Sequence, residues 1–198
     1  MHSLDTTQLV ALAAALGWAS GIRLYAVLFI TGAVGYLGWF DLPEHLRILE
    51  HPLVLGASLF MFVAEFFADK IPYLDTAWDA VHTFIRPVGA AVLAAAALGD
   101  MDPALRTCMA ILAGGVALTS HSGKAATRAL ANHSPEPFSN VALSFMEDAI
   151  IPVGVWLATA HPLVTLTVVI ILVVLTALFI RVAYRALRST FRAIRRPA

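Results

Sequence analysis

Charge is what this sequence has least of. Among 198 residues only 13% are Asp, Glu, Lys or Arg, while 60% are hydrophobic. A soluble domain carries about 25% charged and about 45–50% apolar residues. So little charge excludes an ordinary water-facing surface and leaves side chains that face lipid or dry helix interfaces. Cysteine is nearly absent. Cys108 is the only one, so no intrachain disulfide can form and thiol usage says nothing of compartment. Inside its apolar run, Cys108 is expected to be a small buried hydrophobe. No Lys or Arg precedes the apolar residues Leu9 to Leu16, so cleavage of a signal peptide near Trp18-Ala19-Ser20 is not expected. The apolar runs are continuous rather than alternating, which excludes a membrane β-barrel.

What is present is a series of seven apolar stretches, at about 7–19, 24–40, 52–68, 84–99, 104–119, 138–160 and 162–180. At about 20 residues per crossing, they predict an all-α, polytopic transmembrane bundle of six or seven membrane segments, some broken or re-entrant. One domain covers 1–180 and a basic amphipathic extension covers 181–198. Pro162 to Ile180 holds no charge and as a helix spans about 28 Å, close to the hydrocarbon thickness. Thr7 to Phe40 poses a problem, because its 34 residues would make a helix of about 50 Å. Gly17, the Ser20-Gly21 pair and Arg23 fall in its middle and predict a half-helix, a turn and a second helix. One long kinked helix is the alternative. Small residues, Gly32, Gly35, Ala90 to Ala97, Gly114 and Gly115, suit close helix packing. Trp18, Tyr36, Trp39, Trp78 and Trp156 suit the membrane interface.

Basic residues set the expected orientation. Six of the thirteen Lys and Arg fall between Arg181 and Arg196. Arg181, Arg185, Arg188, Arg192 and Arg195 recur at spacings of four and three, so they share a face of a helix that lies along anionic lipid. A basic face alone does not indicate nucleic acid. With this end in the cytoplasm, Arg23, Lys70, Arg86, Lys124 and Arg128 fall inside, and Arg47 and Arg106 outside. The expected location is a cytoplasmic (inner) membrane, with lipids as partners; assembly of several copies is compatible with the sequence. A re-entrant first segment puts the N-terminus outside, and a single kinked helix puts it inside.

Ionisable residues at bilayer depth are costly and are kept mainly for function. Glu147 and Asp148 sit in the middle of Phe138 to Ala160, one turn before Pro152. Their desolvation and mutual repulsion suit a carboxyl that loads and releases a proton; the competing reading is a structural ion pair with a neighbouring helix. Glu65 and Asp69 share one face of a helix that Pro72 is expected to end, and with Glu147 and Asp148 they are expected to line the polar pathway. Asp75, Asp79, His82 and Arg86 follow at helical spacing. The first three could ligate a divalent metal, although no second motif supports one and no cofactor is otherwise implied. A plain amphipathic stripe meeting water and head groups, and a pathway mouth for ions or solutes, are the alternatives. Finally, Ser20-Gly21 with Arg23 resembles Ser122-Gly123 with Lys124 and Arg128. Ser-Gly turns that open helices would expose N–H groups to an anion. Pro87-Val88-Gly89 likewise recurs as Pro152-Val153-Gly154.

The segments Ser-Gly-Ile-Arg-Leu-Tyr from Ser20, Glu-Phe-Phe-Ala-Asp-Lys-Ile-Pro-Tyr-Leu-Asp-Thr-Ala-Trp-Asp from Glu65, and His-Thr-Phe-Ile-Arg-Pro from His82 carry a resemblance. The chain is similar to a family of small bacterial multi-pass proteins, domain of unknown function 4126, over most of its length up to about Thr159. The resemblance implies a polytopic membrane protein and no activity. The residues themselves favour a carrier of a small solute or ion, proton-coupled, with an anionic substrate. An intramembrane enzyme acting on a lipid or polyprenyl phosphate, and a structural or assembly protein, are the alternatives.

Overall fold

A computed structural model describes residues 4–71, 74–131 and 138–194, with side chains outside 129–140 and 186–194. Six α-helices follow in order: α1 Thr6–Tyr36, α2 Pro52–Ala68, α3 Leu74–Ala97, α4 Pro103–Ala131, α5 Phe138–Ala160 and α6 Pro162–Ile194. A short 3-10 helix, Glu44–Glu50, precedes α2, and the described residues contain no strand. Five helices, α1 and α3 to α6, are long and apolar enough to cross a membrane, and the 3-10 helix with α2, bent by 69°, makes a sixth candidate. Helix starts follow local chemistry. Asp5 caps α1 in a reciprocal box with Gln8, which satisfies two otherwise orphaned N–H groups. Pro52, Pro103 and Pro162 each stand at a first helical position, where no N–H is needed.

The first helix is interrupted at one residue. Arg23 has φ −149° and ψ 86°, outside helical space, between two helical halves. A straight helix would hold Leu9 and Gly35 about 39 Å apart. Yet Leu42 lines one cleft together with Leu4 and Leu9, and it also packs beside Gly35. Both ends of α1 therefore meet the same segment, and the helix doubles back with Arg23 at its tip. No separate turn joins the halves; a single extended residue suffices.

The remaining contacts fix the directions. Gly17 lies against Ala113, and Gly21 against Ala117 and Ser120, so the first half of α1 runs parallel to α4. Gly32 packs on Leu49 and Leu55, and Phe29 stacks on Phe62 with centroids 6.4 Å apart, so the second half runs against α2. Gln8 Nε2 donates to Thr159 O at 2.9 Å, bringing the start of α1 to the end of α5. One end of the bundle thus carries the start of α1, residues 37–51 and 98–102, and the α5–α6 junction. The other carries residue 69 onward, the end of α4 and the end of α6. The end with residues 37–51 is packed with apolar side chains: Leu12, Leu16, Leu46, Leu93, Ala94 and Leu98 are at most 5% exposed and form one cluster.

Several expectations change here. α3 starts at Leu74, as the helical spacing of Asp75, Asp79, His82 and Arg86 predicts, while α4 continues to Ala131, beyond its apolar stretch. Cys108 is exposed on α4, where lipid can cover a thiol as readily as a protein core does. Trp18 is 9% exposed and so belongs to the interior, whereas Tyr36, Trp39 and Trp156 are at least 60% exposed, as interface anchors would be. The basic extension, as far as residue 194, is the helical continuation of α6. The side chains of Arg188, Arg192, Arg195 and Arg196 lie outside the described residues, as does Pro72.

Candidate functional site

Doubling back leaves the first half of α1 with carbonyls that its own helix no longer satisfies. Three carbonyls near that end are met by side chains from other helices. Ser120 Oγ donates to Trp18 O at 2.8 Å, Arg86 Nη1 to Gly21 O at 3.1 Å and Lys124 Nζ to Ile22 O at 3.1 Å. Two of these donors are cations, at the end of a half-helix where the dipole favours positive charge. Gly21 makes the approach of α4 possible, because a Cβ there would collide with Ser120 Oγ and the Ala117 carbonyl.

Around the tip lies a compact ionic cluster. Asp69 Oδ2 stands 3.0 Å from Arg23 Nη2, 2.9 Å from Lys124 Nζ and 3.4 Å from Arg128 Nη2. Glu147 Oε2 meets the same three cations at 3.3 Å (Arg23 Nε), 3.4 Å (Lys124) and 2.9 Å (Arg128). Asp148 Oδ1 completes it, 3.1 Å from Arg23 Nε. Three cations face three carboxylates from α1, α4, α5 and the end of α2. Lys124 and Glu147 lie about 10 and 14 Å along their helices from the nearer helix ends at Ala131 and Phe138. Burial by itself works against the charge of Asp69, just past α2. Lys124, Arg23 and Arg128 together outweigh that and hold its carboxyl below the usual aspartate range.

A second cluster surrounds Arg86, which is fully buried. Its Nη2 donates to Glu65 Oε1 at 2.6 Å, and its Nη1 lies 3.3 Å from Asp79 Oδ1 and 2.6 Å from His121 Nδ1. A guanidinium can only donate, so Nδ1 of His121 carries no proton. Its Nε2–H then faces Thr83 Oγ1 at 2.9 Å and Asp79 O at 3.1 Å. His82 sits apart, its Nδ1 2.7 Å from Trp78 O and its Nε2 3.2 Å from the Tyr25 hydroxyl. Trp78 stacks on its ring with centroids 4.5 Å apart.

Two clefts reach this region. One, of about 340 Å³, opens between α1, α4, α5 and α6; Trp18, Ile22, Met146, Leu175 and Phe179 line it, with Lys124 and Glu147 on its wall. The other, of about 230 Å³, lies between α3 and α4 and is lined by Asp75, Thr76, Asp79, Thr83, His121 and Arg128. The Arg128–Glu147 pair, 2.9 Å apart, thus joins a residue of one cleft to a residue of the other.

The structure sorts the residues singled out from sequence. Glu147, Asp148, Asp69, Arg23, Lys124 and Arg128 converge on one site. Glu65, four residues before Asp69, joins Arg86 instead. Asp75, Asp79, His82 and Arg86 are at most 8% exposed, so the stripe faces inward rather than toward water and head groups. Asp79 meets Arg86 while His82 meets Tyr25; among the described residues no three His, Cys, Asp or Glu are arranged to hold a metal. Ser20-Gly21 and Ser122-Gly123 lie within α1 and α4 rather than opening helices. Ser122 Oγ donates to Leu118 O at 2.8 Å and Gly123 packs on Thr176, so neither pair offers free N–H groups to an anion. Sequence reasoning missed His121 and Ser120. The signal available was their place one turn before Lys124 on the face of α4 that meets the break.

A bundle of long apolar helices around a doubled-back helix whose tip is buried in charge defines a polytopic integral membrane protein. The family model described as "Domain of unknown function (DUF4126)" matches residues 10–182, and the chain belongs to that family. No curated protein and no solved structure matches it.

Proposed function

We propose that the protein is a small ion carrier whose polar site is the cluster at the tip of α1, with Glu147 and Asp148 as its proton-loading carboxyls. One observation carries the reading: two clefts reach the ionic cluster, while Leu12, Leu16 and Leu93 pack together along their helices between it and the separate cleft lined by Leu4, Leu9 and Leu42. That is the form of a carrier open to one side. Interrupted helices near the bilayer midplane are where carriers bind ions. Arg23 Nη1, Glu65 Oε2 and Arg86 Nε have no hydrogen-bond partner among the described residues, and buried polar atoms of this kind call for water or solute. The carbonyls at the break favour a proton or small cation over the anion suggested by the Ser-Gly pairs.

Orientation follows from the basic residues outside the cluster. Arg23, Arg86, Lys124 and Arg128 are interior, so Lys70 and the six C-terminal arginines supply the asymmetry, with Arg47 and Arg106 at the opposite end. This favours a cytoplasmic C-terminus, with Arg181 and Arg185 exposed to anionic lipid.

The second reading is an interhelical staple, favoured by the pairing of each of the cluster's three carboxylates with a cation. Proteoliposomes carrying a pH-sensitive dye separate the two. The carrier reading expects proton flux under an imposed potential, reduced at least tenfold by Glu147→Gln in a protein that remains folded. Flux no greater than that of empty vesicles would refute it and leave the staple.

A further inference from the structure

Lys124 differs from the other cations of the cluster in what surrounds its charge. Its Nζ lies 3.1 Å from the Ile22 carbonyl, 2.9 Å from Asp69 Oδ2 and 3.4 Å from Glu147 Oε2. Arg23 and Arg128 present planar forks to several partners. A lysine ammonium is a compact point charge on a flexible stem. One helix-end carbonyl and two carboxylate oxygens around such a charge form the kind of oxygen shell that a hard cation takes. The carbonyl exists as a free acceptor only because α1 breaks at the next residue, and helix-end carbonyls beside carboxylates coordinate ions in broken-helix carriers.

Charge selects the valence. With Lys124 the cluster holds Arg23, Lys124 and Arg128 against Asp69, Glu147 and Asp148. Within these six ion-paired groups, loss of the ammonium leaves one negative charge in excess. A monovalent ion restores neutrality, whereas a divalent ion overshoots it. Access is present too, because Lys124 and Glu147 both line the 340 Å³ cleft. An ion entering that cleft meets Ile22 and Glu147, two of the three residues that hold the ammonium.

We infer that Ile22 O, Asp69 Oδ2 and Glu147 Oε2 form a monovalent-cation site for which the Lys124 ammonium and a free Na⁺ or K⁺ compete. Its part in transport rests on the carrier reading; the binding itself does not. Lysine is then the resident ion of one state and the ion from solution that of another, which makes the exchange between them the coupling step.

The test uses the full chain in detergent, with melting followed by tryptophan fluorescence in NaCl, KCl or N-methylglucamine chloride at equal ionic strength. Lys124→Ala vacates the shell, and its melting midpoint is expected to rise about 4 °C in about 100 mM Na⁺ or K⁺ relative to N-methylglucamine. Wild type, with the ammonium in place, is expected to shift by less than about 1 °C. Lys124→Gln carries the same test with the volume retained if the alanine variant does not fold. Adding Glu147→Gln to either removes the excess charge and should abolish the salt response. Identical midpoints of both single variants in all three salts would overturn the site. Cation-dependent melting without any flux in vesicles would keep the site and overturn the carrier; flux without cation dependence would do the reverse.

Discussion

Removing Arg86 should cost more than removing any other single side chain of the second cluster. The guanidinium is fully buried and holds Glu65 at 2.6 Å, His121 at 2.6 Å and the Gly21 carbonyl at 3.1 Å. Glu65 is itself fully buried, so Arg86→Met strands a buried carboxylate without its cation and leaves a broken-helix carbonyl without its donor. Breaking a buried pair in this way costs about 3–5 kcal/mol. For a chain of this size each kcal/mol moves the midpoint by about 2–4 °C, so the expected drop is about 10 °C. Glu65→Gln alone strands the cation and should also destabilise. The double variant removes both charges and should regain at least half of the summed loss, because replacing both partners of a buried pair is far milder than removing one. Melting in detergent, followed by tryptophan fluorescence across the four-variant cycle, measures the coupling directly. Single losses below about 1 kcal/mol that add within about 0.5 kcal/mol would show that the two groups do not interact, and would refute the buried-pair reasoning.

Gly21→Ala should prevent α1 and α4 from closing, since the added Cβ meets Ser120 Oγ and Ala117 O; loss of monodisperse protein in size exclusion is expected. Gly115→Ala on α4, where no atom lies within 4 Å, should change the stability by less than about 0.5 kcal/mol. Acid should weaken the protein through Asp69. Its folded carboxyl titrates below the ordinary value near 3.9, so its contribution is complete above about pH 4 and is lost as pH falls through the lower folded value. Asp69→Asn should start less stable and show a shallower decline below pH 4 in melting scans, and an unchanged decline would count against the ion cage.

The helical membrane class was legible because hydropathy is local: each apolar run reports its own environment. So was the break near Arg23, since Gly17, Ser20 and Gly21 weaken a helix already too long for the bilayer. Whether α1 bends or doubles back was not legible, because that depends on Leu42, beside Gly35, also reaching Leu9 across the fold. The same limit applied to the charges. Glu147, Asp148, Lys124 and Arg128 were recognisable as ionisable groups in apolar surroundings, but partner choice is tertiary. Glu65 and Asp69, one turn apart, serve different cations because α3 and α4 present Arg86 and Lys124 at different heights. Residues 74–83 misled for a related reason. Their polar stripe reads as a wetted face only until α1 and α4 are known to cover it.

The competition between carrier and staple turns on redundancy. A staple needs each charge to have one partner, and Arg86–Glu65 shows how few atoms that takes. The cluster at the α1 tip goes further: two carboxylate oxygens are each shared by the same three cations, at distances from 2.9 to 3.4 Å. Shared acceptors leave several pairings of nearly equal energy, so one cation can leave its place while the other two retain both carboxylates. Such a cluster tolerates removal of a single charge during a cycle without stranding the rest, which a set of exclusive pairs cannot do. It also sits where α1 is held by side chains from other helices instead of by its own ladder. The tip can then shift when Lys124 leaves Ile22, and that coupling of charge to backbone position is the property a carrier requires and a staple does not.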